Sequence, residues 1–174
     1  TNMSRCIESL DYSFNAMLDV SKLDAGVIEA APQSFEIRDV FRRLHMHFAG
    51  QAEARGLQLR FKPGGRVAVT DPQLLERILT NLVGNAIKYT KEGGIVVVAR
   101  GHGSQMSIEV RDTGPGIAPN ELPHVFEEFY QIDNASRDRT HGLGMGLAIV
   151  KRLVMLLDHP LEVKSVVGRG TVFK

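Results

Sequence analysis

The sequence predicts an α/β two-layer sandwich, in which a mixed sheet of about five strands is backed by three helices and preceded by one amphipathic helix. Strand-like runs alternate with three helix-like segments along most of the 174 residues. Two pairs of neighbouring runs are joined by short glycine-containing turns, which predicts hairpins and excludes an all-parallel sheet. This order of elements favours an α+β arrangement with the helices on one face.

The first predicted element is a helix with an apolar seam. Its apolar residues recur four, three, four and three positions apart, at Met3, Ile7, Leu10, Phe14 and Met17. This heptad spacing is typical of a helix that packs against partner helices, although an amphipathic helix folded back on its own domain has the same pattern. We therefore predict a helical segment over residues 1–26, a linker over 27–34 and one main domain over 35–174.

The main domain begins with a short predicted strand, Phe35-Glu36-Ile37. A helix follows that ends at Gly56 and places apolar residues on one face, at Val40, Phe41, Leu44, Phe48 and Ala52. Residues 57–61 alternate as a half-buried strand, and Pro63-Gly64-Gly65 turns this strand into a second run over residues 67–69.

The remaining elements are marked by caps and turns. Asp71-Pro72 starts a helix that runs to about Tyr89, because aspartate caps a helix and proline suits its first position. Two runs, 95–98 and 108–111, predict a hairpin that turns near Gly103. A last helix is predicted over 147–157, followed by a last hairpin from the runs 161–166 and 171–173.

Composition excludes several classes of protein. The 21 Lys and Arg residues balance 20 Asp and Glu, so nothing indicates general affinity for nucleic acid. No apolar run approaches the roughly 20 residues that a membrane span needs. The single cysteine, Cys6, fits a reducing compartment. We therefore expect a cytoplasmic chain, with any membrane anchor in segments outside it.

Two asparagines lie four residues apart in the helix that ends near Tyr89. Asn81 and Asn85 project from one face of that helix, and Lys88 follows within one turn of Asn85. Two amide oxygens beside an amine suit a magnesium ion that takes its other ligands from phosphate and water. A polar helix face that merely meets solvent has the same spacing, so this segment alone leaves both interpretations open.

A glycine-containing loop follows the strand that ends at Arg111. In Asp112-Thr113-Gly114-Pro115-Gly116-Ile117 the glycines permit positive φ angles and the close approach of a planar ligand. The Asp112 carboxylate can accept a hydrogen bond from an exocyclic amine such as that of adenine. An ordinary tight turn has a similar composition.

A second glycine-rich segment, Gly142-Leu143-Gly144-Met145-Gly146-Leu147, opens the last helix. Backbone amides at a helix N-terminus bind phosphate oxygens, although this spacing is neither the dinucleotide fingerprint nor a P-loop. The preceding polar stretch carries Arg137 and Arg139 and suits a lid over a triphosphate, with a solvated loop as the alternative.

Together and in this order, the three segments resemble the N, G1 and G2 boxes of sensor histidine kinases, a branch of the gyrase, chaperone, kinase and mismatch-repair ATPase superfamily. Phe126-Glu127-Glu128-Phe129-Tyr130 resembles the F box, and residues 18–26 resemble the end of the second helix of the dimerisation hairpin. The resemblance covers essentially the whole chain and implies a Bergerat-type ATP-binding fold. Gln131, the arginine-rich lid and His159-Pro160 are more similar to hybrid kinases, which carry a receiver domain downstream.

The resemblance also implies roles for the candidate residues, with ATP and Mg²⁺ as cofactors. Asn85 would hold magnesium with Asn81 nearby, and Lys88 would contact phosphate. Tyr89 would lie against adenine, and Asp112 would accept a hydrogen bond from its amine. The implied catalytic set is Asn81, Lys88, Arg137 and Arg139, where one of the two arginines contacts the terminal phosphates. The other candidate nucleotide residues are Gly114, Gly116 and Ile117 on the base side, Phe129, and Gly142, Leu143, Gly144, Met145, Gly146 and Leu147 on the phosphate side. Phe126 and Phe129 are expected to anchor the lid by packing.

The residue type at the position of Asn81 distinguishes the branches of the superfamily, because the hydrolases of the superfamily carry a water-activating glutamate there. An amide cannot serve as a general base, which favours transfer of phosphate to a protein acceptor. We therefore expect a protein-histidine kinase whose acceptor lies outside this chain, since residues 1–26 contain no histidine. Expected partners are a second copy, through the N-terminal helix, and a response regulator or fused receiver domain. An ATPase of the same superfamily and a module that only binds nucleotide stay as alternatives.

Overall fold

The computed structural model describes residues 14–132 and 144–174. A first helix, α1, occupies residues 14–24 of this part. The elements that follow are β1 (Gln33–Glu36), α2 (Ile37–Ala54), β2 (Gln58–Lys62), β3 (Val67–Thr70), α3 (Pro72–Tyr89), β4 (Gly94–His102), β5 (Gln105–Asp112), α4 (Gly146–Leu156), β6 (Val163–Val166) and β7 (Gly170–Phe173). Within the described ranges, every helix is too short or too polar to cross a lipid bilayer.

A five-stranded sheet in the order β2-β4-β5-β7-β6 forms one layer of the sandwich. β2 and β4 run parallel, whereas the pairs β4–β5, β5–β7 and β6–β7 are antiparallel. The buried faces of α2, α3 and α4 join the inward side chains of this sheet in one hydrophobic core. The predicted sandwich of a mixed five-stranded sheet and three helices is therefore confirmed.

The core explains why the apolar periodicities form these elements. Ile95 and Val97 alternate along β4 and are fully buried, as expected for one face of a strand. Phe41 and Leu44 on α2 and Leu153 on α4 are 2%, 1% and 0% exposed. Each such side chain stabilises the fold by about 1.5–3 kcal/mol relative to an exposed one.

β3 lies apart from the main sheet. It pairs antiparallel with β1, with Phe35 opposite Ala68, although the turn at residues 63–65 leads into it directly from β2. β2 instead pairs in parallel with β4. A physical reason lies at the end of β3, where the Asp71 carboxylate accepts a hydrogen bond from the Ala31 N–H at 2.8 Å and so ties β3 to the segment before β1.

Asp71 also caps α3. Its Oδ1 accepts hydrogen bonds from the N–H groups of Gln73 and Leu74 at 2.9 and 3.0 Å. We expect Asp71→Ala to lower the free energy of unfolding by about 2 kcal/mol or more, because a helix cap and a buried acceptor are lost together. Urea denaturation of the purified chain measures this. The matched control, Asp39→Ala, removes an exposed carboxylate in the first turn of α2 whose ion-pair partner among the described residues is Arg42, and it should cost less than about 1 kcal/mol. Equal losses in the two variants would contradict the capping role.

α1 packs one of its faces on the rest of the protein. Ala16 and Val20 are 5% and 6% exposed and belong to the hydrophobic core. Phe14 and Met17, from the predicted seam, are 65% and 49% exposed on another face. The other seam residues, Met3, Ile7 and Leu10, lie outside the described residues. The helix thus contacts its own domain while part of the seam stays open to solvent.

Candidate functional site

The two asparagines of α3 point their amides to the same side of the helix. The Nδ2 of Asn81 donates to the backbone carbonyl of Arg77 at 2.9 Å, which fixes the amide and directs its Oδ1 away from the helix. The amide of Asn85 makes no hydrogen bond to any other described residue. No cluster of three or more His, Cys, Asp or Glu side chains suited to a metal occurs in the described ranges. A cation at this point of α3 would therefore depend on amide oxygens and on oxygens brought by a ligand.

Gly146, the first residue of α4, lies against this amide pair. A Cβ atom at this position would be 3.2 Å from Asn81 Oδ1 and 3.5 Å from Asn85 Nδ2. The N-terminus of α4 therefore meets the polar face of α3, although the two segments are about 60 residues apart in the chain. The first N–H groups of a helix have no partner within it and attract anions. Amide oxygens and free N–H groups thus face one space.

Asp112, at the end of β5, has one carboxylate oxygen occupied and one available. Its Oδ1 accepts hydrogen bonds from the N–H groups of Gly114 and Thr171 at 2.8 and 3.3 Å. Its Oδ2 has no hydrogen-bond donor in the described part of the chain. Burial raises the pKa of Asp112, while the two N–H groups partly oppose that rise. The carboxylate is thus held in a fixed orientation with a free acceptor.

The loop after Asp112 is held by the hairpin of β6 and β7. Gly116 has a φ of 73°, and a side chain there would collide with the backbone of Val166. The N–H of Ile117 donates to Ser165 Oγ at 2.7 Å, and this hydroxyl lies 2.8 Å from Thr171 Oγ1. The shape of the loop therefore depends on a hairpin that lies about 50 residues downstream.

Lys88 and Tyr89 close the C-terminal end of α3. The Lys88 Nζ lies 4.9 Å from the centroid of the Tyr89 ring, a cation–π distance. Burial lowers the pKa of Lys88 and raises the pKa of the Tyr89 hydroxyl. The Tyr89 side chain is still 43% exposed, so one part of the ring is open to a planar group.

The two phenylalanines of the segment 126–130 have different environments. Phe126 packs edge-on against Phe173, with 6.3 Å between the ring centroids. Phe129 is 53% exposed and has a φ of 63°. Its N–H donates to the carbonyl of Gly144 at 3.1 Å. Phe126 therefore packs on β7, whereas Phe129 is held through its backbone and leaves its ring accessible. The expected role of both rings in anchoring the lid stays a prediction.

The structure describes some of the candidate residues in and before the second glycine-rich segment and leaves others out. Met145 is 3% exposed and Leu147 is partly buried against the core, so both side chains contribute to packing at the start of the helix. Four candidates, Arg137, Arg139, Gly142 and Leu143, lie outside the described residues.

Charged residues connect α1 to this side of the protein. Arg152 on α4 donates from Nε to Asp24 Oδ1 at 2.7 Å and also pairs with Glu128. Arg77, one turn before Asn81, pairs with Asp19. The pKa of Asp24 is lowered chiefly by its hydrogen bond to Arg152. These ion pairs place α1 beside the segment that precedes the second glycine-rich loop.

Three hydroxyl residues of the site are not among those predicted from the sequence. Ser165 and Thr171 hold the loop after Asp112, and the buried Thr90 borders Gly114. Serine and threonine in strands and at helix ends have many roles, and only the contacts across the fold distinguish these three. The one sequence signal was the position of Thr90 directly after Tyr89.

Comparison with known proteins places this geometry in a family. Residues 70–174 match the family described as "Histidine kinase-, DNA gyrase B-, and HSP90-like ATPase". The "Sensor histidine kinase RcsC" of Escherichia coli is 34% identical over 160 residues, which are 90% of this chain and 17% of RcsC. The "Sensor histidine kinase AtsR" of Burkholderia thailandensis is 38% identical over 152 residues, which are 84% of this chain and 24% of AtsR. The chain thus spans about a sixth to a quarter of the length of these relatives.

Solved structures share the fold over nearly the whole chain. The crystal structure of full-length ShkA in complex with AMPPNP matches 94% of this chain and 34% of its own, with a TM-score of 0.83 and 30% identity. The Acinetobacter baumannii histidine kinase AdeS matches 99% of this chain and 80% of its own, with a TM-score of 0.80 and 18% identity.

Proposed function

Because the chain belongs to the family of histidine kinase-, DNA gyrase B- and HSP90-like ATPases, we propose that it binds Mg-ATP and transfers the γ-phosphate to a histidine on a dimerisation helix outside these residues, in two-component signal transduction. The observation that carries this proposal is the meeting of the Asn81–Asn85 amide pair with the N-terminus of α4 at Gly146. This arrangement offers ligands for a cation and N–H donors for phosphate in one space.

The residues present fit ATP with a magnesium ion. Asn85, with Asn81 beside it, would supply amide oxygens to Mg²⁺, which would neutralise part of the phosphate charge. Gly146 would let the phosphates approach the first N–H groups of α4, because it has no side chain to block them. The free Oδ2 of Asp112 would accept a hydrogen bond from the adenine amine, and the exposed part of Tyr89 would lie against the base. Lys88 would add a positive charge near the phosphates.

Phosphoryl transfer fits this site better than hydrolysis does. Asn81 stands where a hydrolase needs a base, and its Nδ2 is committed to the carbonyl of Arg77. An amide does not take a proton from water at neutral pH. Positioning and charge neutralisation suffice for phosphoryl transfer when the acceptor is a nucleophile from a protein. These features support a kinase.

The described part of α1 carries no histidine, and the histidines described on other elements include two with polar partners. His159 Nε2 is 2.8 Å from Thr70 Oγ1, and His124 Nδ1 is 2.8 Å from Glu127 Oε1. His45 and His47 are on α2, and His102 ends β4. The acceptor would therefore come from a dimerisation hairpin, and the exposed face of α1 suits a homodimer. A response regulator or fused receiver domain would take the phosphate next.

The labelling experiment tests the proposed reaction. Incubated with γ-labelled ATP and Mg²⁺, the chain alone should stay unlabelled while binding the nucleotide, because an acceptor nitrogen must come within about 3–3.5 Å of the phosphorus. Addition of a separate dimerisation hairpin that carries the acceptor histidine should give acid-labile label on the hairpin. The same hairpin with glutamine in place of that histidine is the control. Label on the chain itself, lost on His141→Ala, would contradict the proposal, as would steady phosphate release without transfer.

A further inference from the structure

Thr90 carries a buried hydroxyl that the roles described so far do not use. The residue follows Tyr89 at the end of α3 and is 0% exposed. Its N–H donates to the carbonyl of Ala86 at 3.0 Å, but its Oγ1 has no hydrogen-bond partner in the described part of the chain. A buried hydroxyl without a partner destabilises the protein, whereas an apolar side chain of the same shape does not. Stability alone therefore does not account for a threonine at this position.

The Thr90 hydroxyl and the Asp112 carboxylate lie beside the same glycine, Gly114. A Cβ atom on Gly114 would lie 3.2 Å from Thr90 Oγ1 and 2.8 Å from Asp112 Oδ1. The hydroxyl and the carboxylate thus border the same small space, and only the absence of a side chain at Gly114 leaves that space open. In the described residues, the other buried unpartnered hydroxyl belongs to Ser107, which pairs across β4 and β5 with Arg100 and has no such contact with Asp112.

Asp112 gains from a further donor. Its burial disfavours the ionised form, and the N–H groups of Gly114 and Thr171 compensate only in part. A carboxylate that must accept a hydrogen bond from an amine has to be ionised and correctly oriented. A short movement of the loop toward α3 would bring the Asp112 carboxylate to the Thr90 hydroxyl, because the Asp112 Oδ1 and the Thr90 Oγ1 lie 2.8 and 3.2 Å from the same point beside Gly114.

We propose that Thr90 is a positioning residue for base recognition: when adenine binds, its hydroxyl donates to the Asp112 carboxylate and holds it in the orientation that accepts the exocyclic amine. The inference rests on the proposed binding of ATP. It adds a specificity role for a residue that touches no nucleotide itself. The step is an exchange of hydrogen bonds and involves no covalent change.

The test compares Thr90→Val with the wild-type chain in titrations with labelled ATP and labelled GTP. Thr90→Val should bind ATP about 10-fold more weakly, since a hydrogen bond to a charged group is lost. GTP affinity should not change, because guanine presents a carbonyl where adenine presents its amine. Thr90→Ser keeps the hydroxyl and should restore the preference for ATP. Thermal unfolding without nucleotide should show Thr90→Val at least as stable as the wild type, because the unpartnered hydroxyl is gone.

The matched control is Thr80→Val on the same helix. The Thr80 hydroxyl donates to the carbonyl of Glu76 at 2.8 Å within α3 and does not contact Asp112, so this variant should bind ATP as the wild type does. The inference would be overturned if Thr90→Val bound ATP and GTP with the same affinities as the wild type does. It would also be overturned if the variant lost affinity for both nucleotides to the same extent. If Thr90→Val does not fold, Thr90→Ala is measured by the same criteria. A wild-type chain that binds no ATP would refute the proposed function itself, which is a separate outcome.

Discussion

Asn85→Ala is expected to abolish the increase in ATP affinity that magnesium gives. The side chain of Asn85 makes no other hydrogen bond in the described residues, and it faces the N-terminus of α4 across Gly146. Its loss should therefore leave the fold unchanged while removing an oxygen ligand. Changes next to bound metals typically weaken metal affinity about 10- to 100-fold, and we expect at least this for a direct ligand.

The measurement is a titration with labelled ATP, with Mg²⁺ and with a chelator. Asn85→Ala should show the same weak binding in both conditions, whereas the wild type should bind more tightly with Mg²⁺. Asn120→Ala is the matched control, because Asn120 is exposed and, among the described residues, hydrogen-bonds through its side chain to the neighbouring Glu121 alone. A full magnesium response in Asn85→Ala would refute the metal role of this amide.

Asp112→Asn is expected to remove the preference for ATP over GTP. The substitution keeps the shape and the oxygen that accepts from Gly114 and Thr171, but it directs an NH₂ group toward the base in place of Oδ2. Hydrogen bonds to charged groups contribute about 1.5–3 kcal/mol, so ATP affinity should fall about 10- to 100-fold. Magnesium should still raise the affinity that remains, which distinguishes this variant from Asn85→Ala. Identical behaviour of the two variants would contradict the assignment of separate roles.

The pKa of Asp112 adds a pH dependence with a defined sign. Burial raises this pKa above its ordinary value, so the folded protein holds the proton more tightly than the unfolded chain. The contribution of this group to stability therefore falls as the pH rises from the ordinary pKa through the raised one. In the proposed binding mode ATP needs the ionised carboxylate, so we expect ATP binding to weaken as the pH falls through the raised pKa. Both dependences should disappear in Asp112→Asn, as calorimetry and titration across acidic pH can show.

Local chemistry in the sequence predicted most single elements. The Asp71-Pro72 cap starts α3, and the 3.6-residue periodicity of its apolar positions carries the helix to Tyr89. The hairpin that turns near Gly103 follows from strand-like runs on either side of a glycine. The prediction that Ile37 ends the first strand was wrong, because Ile37 is the first residue of α2. That boundary depends on the pairing of β1 with β3, which involves residues about 30 positions apart.

The sequence by itself determined the order of helices and strands and named Asn81, Asn85 and Asp112, because caps, turns and periodicities act over a few residues. The tertiary structure alone decided which of these groups meet. It brought Gly146 to the amide pair, used Ser165 and Thr171 to hold the loop beside Asp112, and placed the Thr90 hydroxyl beside Gly114 in that loop. Such contacts join residues far apart in the chain, and their geometry follows from packing of the whole core, which no local pattern specifies.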